Sequence, residues 1–89
     1  MNESYIQRQI IVKLEMWGWM VVKLIQTNTN GIPDLMAIRD GKTVFIEVKR
    51  EGEEPAPLQK HRLNQINDKG ILAFWVDAVD QVNFLKTYQ

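Results

Sequence analysis

Asp34, Glu47 and Lys49 are the residues whose types and spacing point to chemistry. Asp34 opens one apolar run, Asp34–Arg39, and Glu47 and Lys49 close the next, Lys42–Lys49. Between the runs stands Asp40-Gly41, a dipeptide that favours a two-residue hairpin turn. Such a turn pairs Arg39 with Lys42, and counting back along both strands sets Asp34 directly opposite Glu47. Strand alternation puts Glu47 and Lys49 on one face. Opposed Cβ atoms in an antiparallel ladder lie roughly 4.5–5.5 Å apart, where two carboxylates repel each other. A divalent cation removes that conflict, and carboxylate oxygens with water are the ligands that Mg2+ or Mn2+ prefers. An ion so held would offset charge on a scissile phosphate and help ionise a water. The Lys49 amine could orient that water or balance the developing charge. A solvated acid–lysine pair on an exposed strand is the simpler alternative, and a β-bulge would shift Asp34 off Glu47.

The elements that must position these residues follow from apolar periodicity. Ile6, Ile10, Leu14 and Trp17 recur at helical spacing from about Ser4 to Trp17. Ser4 with Gln7 reads as a capping box, and Gly18 suits the stop. Trp19–Ile25 is short and rich in β-branched residues, which predicts a strand, and Gln26–Pro33 is a polar loop. After the hairpin, Glu51–Pro57 is an acidic loop. Leu58–Lys69 is a helix with Leu63 and Ile66 inward, closed by Gly70. Ile71–Val76 predicts a buried strand, and Ala78 to about Thr87 a final helix carrying Val79, Val82 and Leu85. The order is α-β-β-β-α-β-α. Both hairpin strands are apolar on both faces, so helices or a second subunit must cover the sheet on both sides.

With 89 residues the chain allows one domain, 1–89, with a modest core for which oligomerisation is a common remedy. The absence of cysteine excludes disulfides and thiolate metal sites, and with one histidine a structural zinc site is not expected. No apolar run spans a membrane, and the N-terminus lacks the order of a signal peptide. A cytoplasmic location, in a bacterial or phage-infected cell, is the expectation. The formal net charge of zero counts mildly against a nucleic-acid partner, because such partners usually call for a basic excess. Carboxylates gathered round a metal would leave the remaining surface effectively basic. Arg50, Lys60 and Arg62, with Lys49 and His61 nearby, are the candidate phosphate contacts; a solvated charged face is the bland alternative.

Gly31-Ile32-Pro33-Asp34-Leu35, then Ile46-Glu47-Val48-Lys49-Arg50, then Gln59 at the start of a helix, resemble the PD-(D/E)xK nuclease superfamily, and within it the VRR-Nuc family. The resemblance implies an α/β, restriction-endonuclease-like αβββαβ core, with a mixed four-stranded sheet flanked by helices. It implies Asp34 and Glu47 as ligands of Mg2+ or Mn2+, the Val48 carbonyl completing the shell, and Lys49 as the catalytic lysine. Glu3 is the candidate for an acidic residue that relatives carry on the first helix; complementing the helix N-terminus is its other reading. Gln59 matches a polar position after the catalytic strand, as support near the metal or the phosphate, or as a helix N-terminal hydrogen-bonding group. Stand-alone members of this size resemble Holliday-junction resolvases, which implies a homodimer acting on branched duplex DNA, with no small-molecule cofactor. The apolar surplus of Trp17, Trp19, Phe74 and Trp75 is compatible with a dimer interface, though any one of them can serve the core.

Other polar residues have simpler explanations. His61 sits on a charged helix, Asp77 and Asp80 suit a strand-to-helix cap, and Thr27-Asn28-Thr29-Asn30 and Gly52 suit turns. The reading is therefore a metal-dependent DNA endonuclease with water as nucleophile. Its rivals are an inert DNA-binding or assembly module of the same fold, a sequence-specific restriction-type nuclease, and a small interaction protein.

Overall fold

The computed structural model describes residues 1–89. Its elements are α1 (Glu3–Met16), β1 (Met20–Lys23), β2 (Leu35–Arg39), β3 (Lys42–Val48), α2 (Pro57–Asp68), β4 (Leu72–Val76) and a C-terminal 3-10 helix (Val79–Lys86). The strands form one mixed sheet in the order β1-β2-β3-β4. β1–β2 and β2–β3 are antiparallel and β3–β4 is parallel, joined by the α2 crossover. The hairpin turns on Asp40 and Gly41, both with positive φ, as a tight primed turn requires. Arg39 pairs with Lys42 and Leu35 with Ile46, the register expected from the turn, with no bulge.

The two faces of the sheet are unequal. Leu35, Ala37, Val44, Ile46, Val48 and Val76 point to one side and join Ile6, Ile10 and Leu14 of α1 with Val82 and Leu85 in a single closed core. Removing this surface from water supplies most of the driving force for folding. The opposite face carries Val22, Met36, Ile38, Phe45 and Trp75, all only half-buried. Helix α2 covers its β4 side through Leu63, and the β1–β2 side has no helix.

Three elements differ from the sequence expectation. The cap of α1 is Asn2, whose side chain accepts from the Tyr5 N–H at 2.8 Å, so Ser4 lies inside the helix and Glu3 in its first turn. Asn caps as well as Ser does, and the earlier start keeps Ile6 in the core. β1 is shorter than Trp19–Ile25. Trp19 is buried, with its indole N–H donating to the Leu85 carbonyl, and Ile25 is exposed after the chain leaves the sheet. The last helix is 3-10 throughout. Val79, Val82 and Leu85 recur every three residues, the 3-10 period, so this winding lines all three up on the core.

Arg39 ties the ends of these elements together. Its Nη1 donates to the carbonyls of Trp17 (3.0 Å) and Lys86 (3.2 Å), and its Nη2 to that of Tyr88 (2.7 Å). The guanidinium also lies 4.5 Å from the Trp19 ring centre. These carbonyls end α1 and the 3-10 helix, where a cation is favoured. Arg39→Ala should lower unfolding free energy by about 2–4 kcal/mol in urea denaturation, because it strands several polar groups at once. Arg39→Lys should recover less than half of that, since an ammonium cannot reproduce the planar fork.

Candidate active site

The backbone at Asp34 is held from both sides. Its carbonyl accepts from the Leu24 N–H at 2.8 Å, the last contact before the chain leaves β1, and its carboxylate Oδ2 accepts from the Val48 N–H at 2.9 Å. Pro33 before it is buried. Gly31 has φ +80°, and a Cβ there would lie 2.8 Å from Leu58 Cγ of α2. Glycine thus allows the loop 24–34 to press against α2. Arg62 completes the clamp, its Nε donating to the Asn30 carbonyl at 2.8 Å and its Nη1 to Gln65 Oε1 at 2.8 Å.

Glu47 is the one buried charged residue of the chain, 2 % exposed. Continuing the β2–β3 register sets it opposite Asp34 on the face away from α1. Its Oε2 accepts from Gln59 Nε2 at 2.9 Å and lies 3.3 Å from Lys49 Nζ, while its Oε1 is buried with no hydrogen-bond partner. Burial, then repulsion from Asp34, pushes the Glu47 carboxyl up to about 7 against the attraction of Lys49. Burial also raises Asp34, partly offset by the Val48 N–H and by Lys49. Asp34 thus adds to the cost of a charge on Glu47, and one Glu47 oxygen is left without a donor, so the buried carboxylate is under-satisfied by its neighbours.

Gln59 bonds at both ends of its amide. Its Oε1 accepts from the Ala56 N–H at 2.9 Å, closing the start of α2, while its Nε2 reaches Glu47. Lys49 is held by Glu47 and, at 3.9 Å, by Glu53, an acid the sequence reading passed over in an acidic loop. Val48 is buried, with its N–H committed to Asp34. Glu3 repels Glu47 only weakly, as the least of the influences on it. Asp34, Glu47 and Glu3 do not form a three-acid cluster close enough to share an ion as they stand.

The candidate phosphate contacts are less free than expected. Arg62 commits its Nε to the Asn30 carbonyl and its Nη1 to Gln65. Arg50 pairs with Glu53 at 2.8 Å and Lys60 with Glu54 at 3.4 Å, both well exposed, where such pairs are weak. His61 is exposed on α2. Asp77 accepts from the Gly52 N–H at 3.1 Å and from Gln81 at 2.9 Å, so it braces the turn after Lys49. Of the aromatic surplus, Trp19 is buried and Trp17 and Phe74 pack against the core.

A mixed sheet with two acids and a lysine at the end of its central hairpin defines a PD-(D/E)xK nuclease. Residues 3–73 match the family model described as archaeal Holliday junction resolvase. The chain is 32% identical over 85 residues to a candidate nuclease, p44, of Acyrthosiphon pisum secondary endosymbiont phage 1, covering 94% of this chain and 91% of that protein. A solved VRR-Nuc domain superposes with a TM-score of 0.85 at 29% identity, covering 98% of this chain and 97% of the other. A second, from a VRR-Nuc domain protein, gives 0.76 at 18% identity over 99% and 88%, a likeness of fold. The chain belongs to the archaeal Holliday junction resolvase family of this superfamily, as a small nuclease whose fold is that of a VRR-Nuc domain.

Two outcomes follow from the site. Glu47 binds its proton more tightly folded than unfolded, where the carboxyl titrates near 4.5. Between about 4.5 and about 7 the folded state therefore holds more protons, so metal-free stability falls as pH rises through that window and levels off above it. Asp34, also raised, adds a slope of the same sign. Glu47→Gln should flatten most of the slope and exceed the parent at pH 8 by on the order of 2 kcal/mol in urea titrations. Separately, Gly31→Ala should destabilise by about 1–3 kcal/mol, with part recovered in the Gly31→Ala/Leu58→Ala double variant.

Proposed function

We propose that the chain is a divalent-metal-dependent endonuclease that hydrolyses phosphodiester bonds of branched duplex DNA as a homodimer. The observation that carries this reading is the buried Glu47, its Oε1 unpartnered and its carboxyl raised first by burial and then by Asp34. These donors fit a hard cation such as Mg2+ or Mn2+, which takes few protein carboxylates and keeps several waters. Asp34 and Glu47 would hold it, with the Val48 carbonyl beside them. When bound, the ion supplies Lewis-acid stabilisation of phosphoryl charge and a more acidic water.

The chain's own residues do the rest. Val48 and Gln59 fix the two carboxylates by hydrogen bonds, so little reorganisation is needed during reaction. Lys49, now against Glu47, has an ammonium placed to donate to a phosphoryl oxygen or to hold the attacking water. The hydrogen-bond partners of the two carboxylates are the Val48 N–H and the Gln59 amide, with no hydroxyl or thiol among them, which favours direct attack by water. The family's resemblance to junction resolvases supports a branched substrate, and the half-covered sheet face supports a dimer. Met20, Val22, Met36, Ile38 and Phe45 form that face, and Met20 is 63 % exposed. A two-fold axis would give paired sites for symmetric cuts.

A labelled four-way junction and a linear duplex of equal length test this directly. Cleavage should require Mg2+ or Mn2+, favour the junction, and fall by roughly 100-fold or more in Asp34→Asn, Glu47→Gln and Lys49→Ala. Cleavage in EDTA, or full activity in Glu47→Gln, would sink the proposal. Sedimentation should show a dimer that Met20→Asp weakens.

A further inference from the structure

A groove of about 480 Å³ runs between α2 and the open edge of β4. Its walls include Lys60, Asn64 and Asn67 from one side and Trp75 from the other. We propose that this groove receives an unpaired nucleobase of the substrate strand, stacked on Trp75, with the adjoining phosphate against Lys60. The inference rests on the nuclease reading and names the part of the substrate that this flank of the site would hold.

Four observations carry it. The first is the state of the three tryptophans. Trp19 is buried, bonded to the Leu85 carbonyl and stacked beside Arg39 and Tyr88. Trp17 packs on the core with Lys13 above it. Trp75 has neither a ring nor a cation as partner and remains half-buried in the groove. Its π-face is the kind of platform that single-stranded nucleic acids stack on, whatever the base.

The second observation is position. Trp75 pairs in register with Glu47 across the parallel β3–β4 ladder, so both side chains leave the same face on neighbouring strands. Neighbouring strands are about 4.8 Å apart. A base on Trp75 therefore lies next to the carboxylate pair, within a nucleotide of the scissile bond. The third is charge. Lys60 follows Gln59, whose amide touches Glu47, and holds only the exposed Glu54 at 3.4 Å. A phosphate can displace so weak a pair. The exposed Asn64 amide adds a donor and an acceptor for a base edge.

The fourth weighs against a rival occupant. An open strand edge beside a helix invites an added peptide strand. Here the Asn67 side chain donates to the Ala73 carbonyl at 3.0 Å and accepts from the Ala73 N–H at 2.8 Å. It occupies both edge-facing backbone groups of Ala73, which shortens the ladder an added strand would form and favours a flat ring in the groove.

The test measures binding in EDTA, where nothing is cut. A fluorophore-labelled duplex with a short unpaired thymidine tail is compared by anisotropy with the blunt duplex. The tailed form should bind about tenfold tighter, the size of one stacked base. Trp75→Ala should bind both alike, while Trp75→Phe, which keeps an aromatic face, should retain most of the preference. Oligothymidine should also quench the intrinsic fluorescence of the parent by a larger fraction than that of Trp75→Phe. This second readout decides the matter even if Trp75→Ala does not fold. Undiminished preference in Trp75→Ala, or equal fractional quenching in parent and Trp75→Phe, overturns the proposal. Tail preference without metal-dependent cleavage would instead overturn the nuclease reading and leave the groove standing.

Discussion

The structure is organised around a carboxylate placed where water cannot reach it. Burying an ionised acid costs several kcal/mol unless it is paired and hydrogen-bonded. Glu47 receives one hydrogen bond from Gln59 and one cation from Lys49, and keeps one oxygen bare. Asp34 makes matters worse by its charge. Such an arrangement persists only if the surrounding fold is stable enough to impose it. The closed core on the α1 face does so, since Ile46 and Val48, the neighbours of Glu47 along β3, are fully buried there. The same strand thus presents its stabilising residues to one side and Glu47 to the other.

What holds the site in shape is divided among three elements that meet only after folding. β3 contributes Glu47, Lys49 and the Val48 N–H. The loop before β2 contributes Asp34, and its path depends on Gly31 lying against Leu58 and on Arg62 gripping Asn30. Helix α2 contributes Gln59, whose amide serves the helix start and the acid at once. Helix α2 therefore acts twice, through Gln59 on β3 and through Leu58 and Arg62 on the loop. Its placement over one half of the face leaves the other half, from Met20 to Phe45, without a helix.

The charge distribution also makes sense on this basis. A formal net charge of zero argues against a nucleic-acid partner only if the acids are spread evenly. Two of them are drawn into the site, while Glu53 and Glu54 sit beside Arg50 and Lys60 in exposed, weak pairs. Phosphates that replaced those acids would meet the same cations, and such binding falls steeply with salt.

The hairpin and the Asp34–Glu47 opposition were legible in the sequence because they rest on local rules. Asp40-Gly41 specifies the turn, the turn specifies the register, and a period of two specifies the face. The element order and the inward residues of α1 were legible for the same reason, since a helical period of apolar residues needs no partner to be seen. The 3-10 winding was written in the spacing of Val79, Val82 and Leu85 but reads equally as one side of an α-helix; only the shape of the core chooses between them. Arg62 and Gln59 mark the true boundary. On a sequence each is a polar side chain near the start of a helix. Whether it meets a phosphate, a loop carbonyl or a buried acid depends on which distant segment arrives within about 3 Å. That is decided by how α2, the 24–34 loop and β3 pack together.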